Sequence, residues 1–234
     1  MIFQQIINGL TLGATYSLVA IGYTLIFGVL GILHFAHGEV LMAGAFMGLY
    51  IIIWSGLPLY ITLPLAMLAT GILGVLIDLL AIRPLRKDFH LAPLLSTLGV
   101  TIILQNLAVK LFGGFGTRFP DAIGTTNYQV GSFFISSVNV LILGISLALM
   151  IGLYFFIAKT KIGKGMRAVS ENHTVAGLLG VNVDLIVLIT FGIASALAGA
   201  AGVMIGLSFH AISPFIGLTF ALKGLVVMLL GGLG

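Results

Sequence analysis

The sequence predicts an all-α, polytopic membrane helix bundle. Three observations carry this: 60% of the 234 residues are hydrophobic, only 7% are charged, and the charges fall in a few short segments. A typical soluble domain is roughly one quarter charged, and a single domain of this size cannot hide so much apolar surface. Disorder needs the opposite composition. No Asp, Glu, Lys or Arg occurs in 1–38, 40–77, 122–158 or 185–222. Such runs are longer than barrel strands and lack their two-residue alternation, so the spans are helices.

About 20 apolar residues cross the hydrocarbon core. On that ruler, 6–33 is one crossing. Segment 40–54 is short, about 22 Å at 1.5 Å per residue. Between them lies His34-Phe35-Ala36-His37-Gly38-Glu39, polar and compact. It reads either as a tight surface turn, with His37 or Glu39 capping the next helix, or as a broken helix bordering a pathway. Segments 59–82, 91–112, 138–158 and 185–207 each make one span. A seventh begins in 218–234 and stops at Gly-Gly-Leu-Gly with no polar flank, which is expected of a reentrant piece or, the favoured reading, of a truncated span. The start, MIFQQIINGL, has no basic leader region, so the first segment is expected to stay as a span. Residues 1–234 read as one transmembrane domain.

Seven of the ten basic residues sit in two loops: Arg83, Arg86 and Lys87 in 83–90, and Lys159, Lys161, Lys164 and Arg167 in 159–167. Two spans separate these loops, which puts both on one side, and the positive-inside rule makes that side cytoplasmic. The net charge of +4 is therefore an orientation signal, not a nucleic-acid footprint. The absence of cysteine removes disulfides, thiolate metal sites and a cysteine nucleophile. No zincin, hydrolase-elbow or nucleotide-cradle motif occurs, and no cofactor is indicated. His34, His37 and Glu39 crowd three ligands into six residues without a fourth, a poor metal set.

Helices in lipid associate through small residues. Gly9-xxx-Gly13, Gly44-xxx-Gly48 and the stripe Ala194, Ala198, Gly202 and Gly206 are the candidates for helix packing. Polar residues inside spans are few. Gln105 and Asn106 form the most conspicuous pair, suited either to an interhelical hydrogen bond or to lining a pathway. Lys223 lies inside the last segment and either snorkels to the interface or serves function. The cytoplasmic stretch 163–184 is longer than a bundle connection needs. Residues 166–179 have helical composition, Val169, Ala176 and Leu179 approximate one apolar face, and Gly180 is a natural stop. From composition alone, such a helix rests on lipid or offers itself to a partner.

The sequence GLTLGATYSLVAIGYTLIFGVLGILHFAHGEVLMAGAF (9–46) resembles the N-terminal signature of LivH-type permeases, the membrane subunits of ABC importers for branched-chain amino acids. AIRPLRK (81–87), LGVTIILQN (98–106), GKGMRAVSENHTVAGLLGVNVD (163–184) and SPFIGLTFALKGLVVMLLGGLG (213–234) resemble further blocks of that family in order. The resemblance implies a permease of the bacterial inner membrane that hydrolyses nothing itself. Its partners would be a second, homologous permease, two cytoplasmic ATPases and a periplasmic binding protein. It makes 163–184 the coupling loop, with Arg167, Glu171, Asn172, Ala176 and Gly180 at the ATPase contact; Thr174 stands where importers often carry Glu. It also implies alternating access, with substrate passing His37, Gly38 and Glu39, then Gln105 and Asn106, with Lys223 a further candidate. The expected cargo is a branched-chain or related small neutral amino acid. The alternative is a stand-alone secondary transporter or channel for a small neutral solute such as urea or a short amide.

Overall fold

The structure is a computed structural model that describes residues 2–85, 91–120, 127–130 and 133–232. Arg86 and Lys87 lie outside the described residues. Six helices are long and apolar enough to cross a membrane. They are α1 (Ile2–Leu30), α2 (His37–Ser55), α3 (Leu59–Ile77, continued by a π-helical turn Asp78–Ile82), α4 (Leu91–Phe112), α5 (Ser137–Lys159) and, later in the chain, α8 (Val183–Phe209). Two short helices, α6 (Lys161–Glu171) and α7 (His173–Leu178), join α5 to α8. The last, α9 (Ile216–Gly231), has 16 residues and is the shorter seventh apolar segment.

The bundle is built around α8, which packs on α1, α2 and α3. Its most apolar stretch is 72% buried, against 17% for α4 and 11% for α5. Burial selects the small residues. Ala194, Ala198, Gly202 and Gly206 all face inward. A Cβ at Gly202 would run into the Leu41 carbonyl, one at Gly44 into the Gly199 backbone, and one at Gly206 into the Phe119 ring. The expected stripe is thus the seam on which α2 lies. Gly9 and Gly13 instead have open space where a Cβ would go, facing a groove shared with Gly144 of α5.

The chain reverses after Leu30 through Gly31, whose φ of 69° favours glycine and whose N–H bonds the Phe27 carbonyl. It then runs inward. Gly22, which meets the His37 ring, is eight residues before Leu30, about 12 Å along the helix. The hexapeptide 34–39 is therefore recessed and is not a surface turn, and neither His37 nor Glu39 caps α2 with its side chain. The second span is longer than 40–54 because His37, Gly38 and Glu39 belong to its first turn. Protein satisfies the non-helical backbone: Phe35 N–H donates to Thr97 Oγ1 at 3.3 Å.

At the far end α9 also begins inside the bundle, with Gly217 against Gly38 and Glu39. Two small sheets, absent from the sequence-based expectation, lie on the side opposite the basic loops. Strand β1 (Thr117–Arg118) pairs antiparallel with β4 (Ala211–Ile212), and β2 (Asn127–Val130) with β3 (Phe133–Ser136). The first seats the fully buried Phe119 over Gly206.

The seam sets a test. Gly202→Ala is expected to destabilise the purified protein by about 1–3 kcal/mol, an overpacking cost, read as a lowered midpoint of thermal unfolding in detergent. Gly9→Ala is expected to change it little, because nothing stands within 4 Å of the new methyl.

Candidate functional site

Three places concentrate polar chemistry: a helix pair on the basic side, a buried cluster at the recessed turn, and the outer face of α9.

The basic side holds α6 and α7 where one helix over 166–179 was expected. The break is at Asn172, whose extended backbone ends α6 and whose side chain accepts the Val175 N–H at 3.0 Å to cap α7. Ala176 is buried, while Leu179 is 78% exposed and so does not share its face. Leu178 is 83% exposed and Val175 49%, which makes the tip of α7 an apolar knob. Arg167 and Glu171 are exposed, and an Arg167 guanidinium N–H donates to the Ile157 carbonyl at the end of α5. Gly163 presses on that same backbone. Gly165 packs on Ile186 of α8. The His173 ring bonds the Val29 carbonyl in the last turn of α1. An ion pair of 3.0 Å joins Arg83, after α3, to Asp184 at the start of α8. The knob is thus tied to the ends of α1, α5 and α8. Gly180 closes α7 at φ 86°, and Val181 N–H returns to the Ala176 carbonyl at 3.0 Å.

At the recessed turn, His34, His37 and Glu39 are all buried. The His37 ring tilts on Tyr23, centroids 4.6 Å apart, and faces His34 at 6.1 Å. Both ring nitrogens of His34 and Glu39 Oε2 have no hydrogen-bond partner among the described residues. Buried groups of this kind call for water or a visiting solute. Gly38 is pinned against Gly217 and Ala221 of α9. Among the described residues no three His, Asp or Glu side chains converge on a metal position.

Gln105 and Asn106 do not join that cluster. Gln105 is half-buried and Asn106 exposed on the outer side of α4, where the Asn106 amide donates to the Ile102 carbonyl one turn back. An amide satisfied within its own helix needs no interhelical partner, and depth in the sequence does not tell which side of a helix faces inward. Lys223 is exposed on α9, with Nζ 3.3 Å from the Tyr16 hydroxyl. Sequence reasoning missed Leu178 and His173; their signal was the capping Asn172, which separates α7 as a helix of its own.

The family model described as "Branched-chain amino acid transport system / permease component" matches residues 5–234. The chain belongs to this family. It is a multi-pass membrane permease by that membership and by its six spans. Among its relatives, the high-affinity branched-chain amino acid transport system permease protein BraD of Pseudomonas aeruginosa is 37% identical over 247 residues, covering 99% of this chain and 79% of that protein. LivH of Escherichia coli K12, named as the same kind of permease, is 34% identical over 245 residues with the same coverage. A probable LivH permease of Methanocaldococcus jannaschii is 29% identical over 194 residues, 79% of this chain and 60% of that one. No solved structure matches the chain.

For this permease, the left-handed backbone at Gly180 predicts that Gly180→Val removes uptake while the spans still assemble, whereas Gly180→Asn retains most of it. A β-branched residue at positive φ is strained, and Asn tolerates that region. Uptake in membrane vesicles, normalised to the amount of protein in the membrane, reads the difference.

Proposed function

We propose that this permease is the membrane subunit of an ATP-binding-cassette importer, and that it carries branched-chain or related small neutral amino acids. A second, homologous permease, two cytoplasmic ATPases and a solute-binding protein on the opposite side complete the machine. The observation that carries this reading is the α7 knob. Leu178 and Leu179 project from the basic side with no cover among the described residues, and an exposed apolar projection of that kind marks a docking surface. Membership of a family named for branched-chain amino acid transport supports the cargo.

The mechanism is alternating access. Closure of the ATPases displaces α7, and Asn172 and Gly180 hold its two ends so that it moves as a unit. Arg167 and Gly163 pass the displacement to α5, Gly165 to α8, and His173 to the last turn of α1. The Gly202 seam is too tight to absorb it, so α2 follows α8. The recessed turn with His37, Gly38 and Glu39 lies where α1, α2, α8 and α9 meet, and it opens or closes the path as they shift. Gln105 and Asn106, on the outer side of α4, belong to its contact with lipid or a neighbour and not to the path through this chain.

Two measurements test the proposal. Leu178→Asp with Leu179→Asp is expected to weaken ATPase docking by about 2 kcal/mol or more, roughly thirtyfold in affinity, and to abolish ATP-driven uptake in proteoliposomes. Normal ATP-dependent uptake by that double variant would remove α7 from the coupling role, and uptake by the permease alone would remove the importer reading. His173→Ala is expected to lower solute moved per ATP hydrolysed, and His173→Gln, whose amide also donates to a carbonyl, to restore much of it.

A further inference from the structure

Lys223 stands on the exposed side of α9 beside the middle of α1. Its Nζ lies 3.3 Å from the Tyr16 hydroxyl and 5.5 Å from the centroids of the Tyr16 and Phe220 rings. Tyr16 is the midpoint of α1, fourteen residues from Ile2 and fourteen from Leu30, so about 21 Å of helix lies on either side. The hydrocarbon core is about 30 Å thick, which leaves the amine near its middle.

A cation at that depth faces a bundle interior or a water-filled cavity, because lipid would leave it unsolvated. In this chain Lys223 faces neither; it lies on an open face of α9 together with Leu218, Thr219 and Leu222. That face therefore borders an aqueous path or another subunit. A helical face carrying three polar side chains, interrupted at Leu12, leads to it. Gln4, Asn8, Leu12 and Tyr16 recur at spacing four along α1, on one helical face, and Gln4 Nε2 donates to Asn8 Oδ1 at 3.4 Å. The stripe starts at the end of α1 opposite the α7 knob, the side from which cargo arrives. The ammonium has three donors and gives one to Tyr16. Among the described residues the ion pair found is Arg83–Asp184, far from Lys223 in the fold. Two of its N–H donors are thus left for an anion.

We propose that Lys223, positioned by the Tyr16 hydroxyl, binds the carboxylate of the transported amino acid on the α1–α9 face at mid-membrane. This rests on the importer reading and gives it a recognition element. The buried Glu39 cluster then serves the gate, and the α1–α9 face the cargo.

The test uses the complete importer in proteoliposomes, with leucine as probe. Lys223→Met is expected to cut ATP-driven leucine accumulation at least about tenfold, while the complex still assembles and loaded binding protein still stimulates ATP hydrolysis. Lys223→Arg should retain most transport, and Tyr16→Phe should fall between. Parental transport by Lys223→Met would overturn the proposal. So would loss of the assembled complex in Lys223→Met with recovery in Lys223→Arg, which would show the amine paired with an acid of a partner subunit. Because the chain has no cysteine, Lys223→Cys gives a readout without transport. It is expected to react with a membrane-impermeant, charged thiol reagent added from the binding-protein side, and failure to react would overturn the water-lined path. Labelling is read even if the importer reading fails, so the two failures give different results.

Discussion

Close approach of α2 to α8 is the contact on which the rest of this fold depends. In lipid, apolar side chains gain little by leaving one apolar medium for another, so helix association rests on van der Waals contact and hydrogen bonds at short range. Gly44 against Gly199 and Gly202 against the Leu41 carbonyl bring backbones together with no side chain between them. Thr70 beside Gly199 and Ser195 beside Gly74 extend the same economy to α3. A seam this tight has no room for partial movement. It joins α2, α3 and α8 into a unit that either moves together or does not move.

That unit makes possible what a looser bundle could not hold, a polar break inside the membrane. The turn 31–36 and the starts of α2 and α9 lie within the bundle, and the stretch before α9 is likewise non-helical. Exposed to hydrocarbon, such backbone would be costly. Here Thr97, the His34 carbonyl and the Gly217 backbone enclose it. Of the side chains brought in with it, His34 and Glu39 keep polar atoms without a partner among the described residues in a buried place. A structure with only stability to satisfy would have apolar residues there. In the proposed transport cycle, a state in which water or cargo reaches these residues would satisfy them.

The two ends of the molecule divide the work by the same logic. On the basic side, α6 and α7 are short, capped by side chains of Thr160 and Asn172, tied to α5 and α1 through backbone carbonyls at helix ends, and packed on Ile186 of α8. These are the orphan acceptors that every helix leaves, and here they serve as attachment points for α6 and α7, as the proposed coupling role requires. On the opposite side, the β1–β4 pair and Phe119 close over α8.

Much of this was legible from residues alone. Long uncharged runs determined the spans, the count of spans between the basic loops put those loops on one side, and the four-residue spacing of Ala194 to Gly206 the seam, because hydration cost and helix periodicity act on sequence directly. The end of α7 was legible as to place, since Gly180 and the surrounding pattern mark a helix end whatever the tertiary setting. Tertiary structure alone decided which side each residue faces. Leu179 is exposed although its spacing suited burial, Asn106 turns outward although it lies deep in a span, and Gly9 and Gly13 meet a groove although they match a packing motif. Facing depends on where neighbouring helices come to lie, and no local period encodes that. The depth of His37 and the pairing of Lys223 with Tyr16, 207 residues apart, arise only when the chain has folded and distant helices stand side by side.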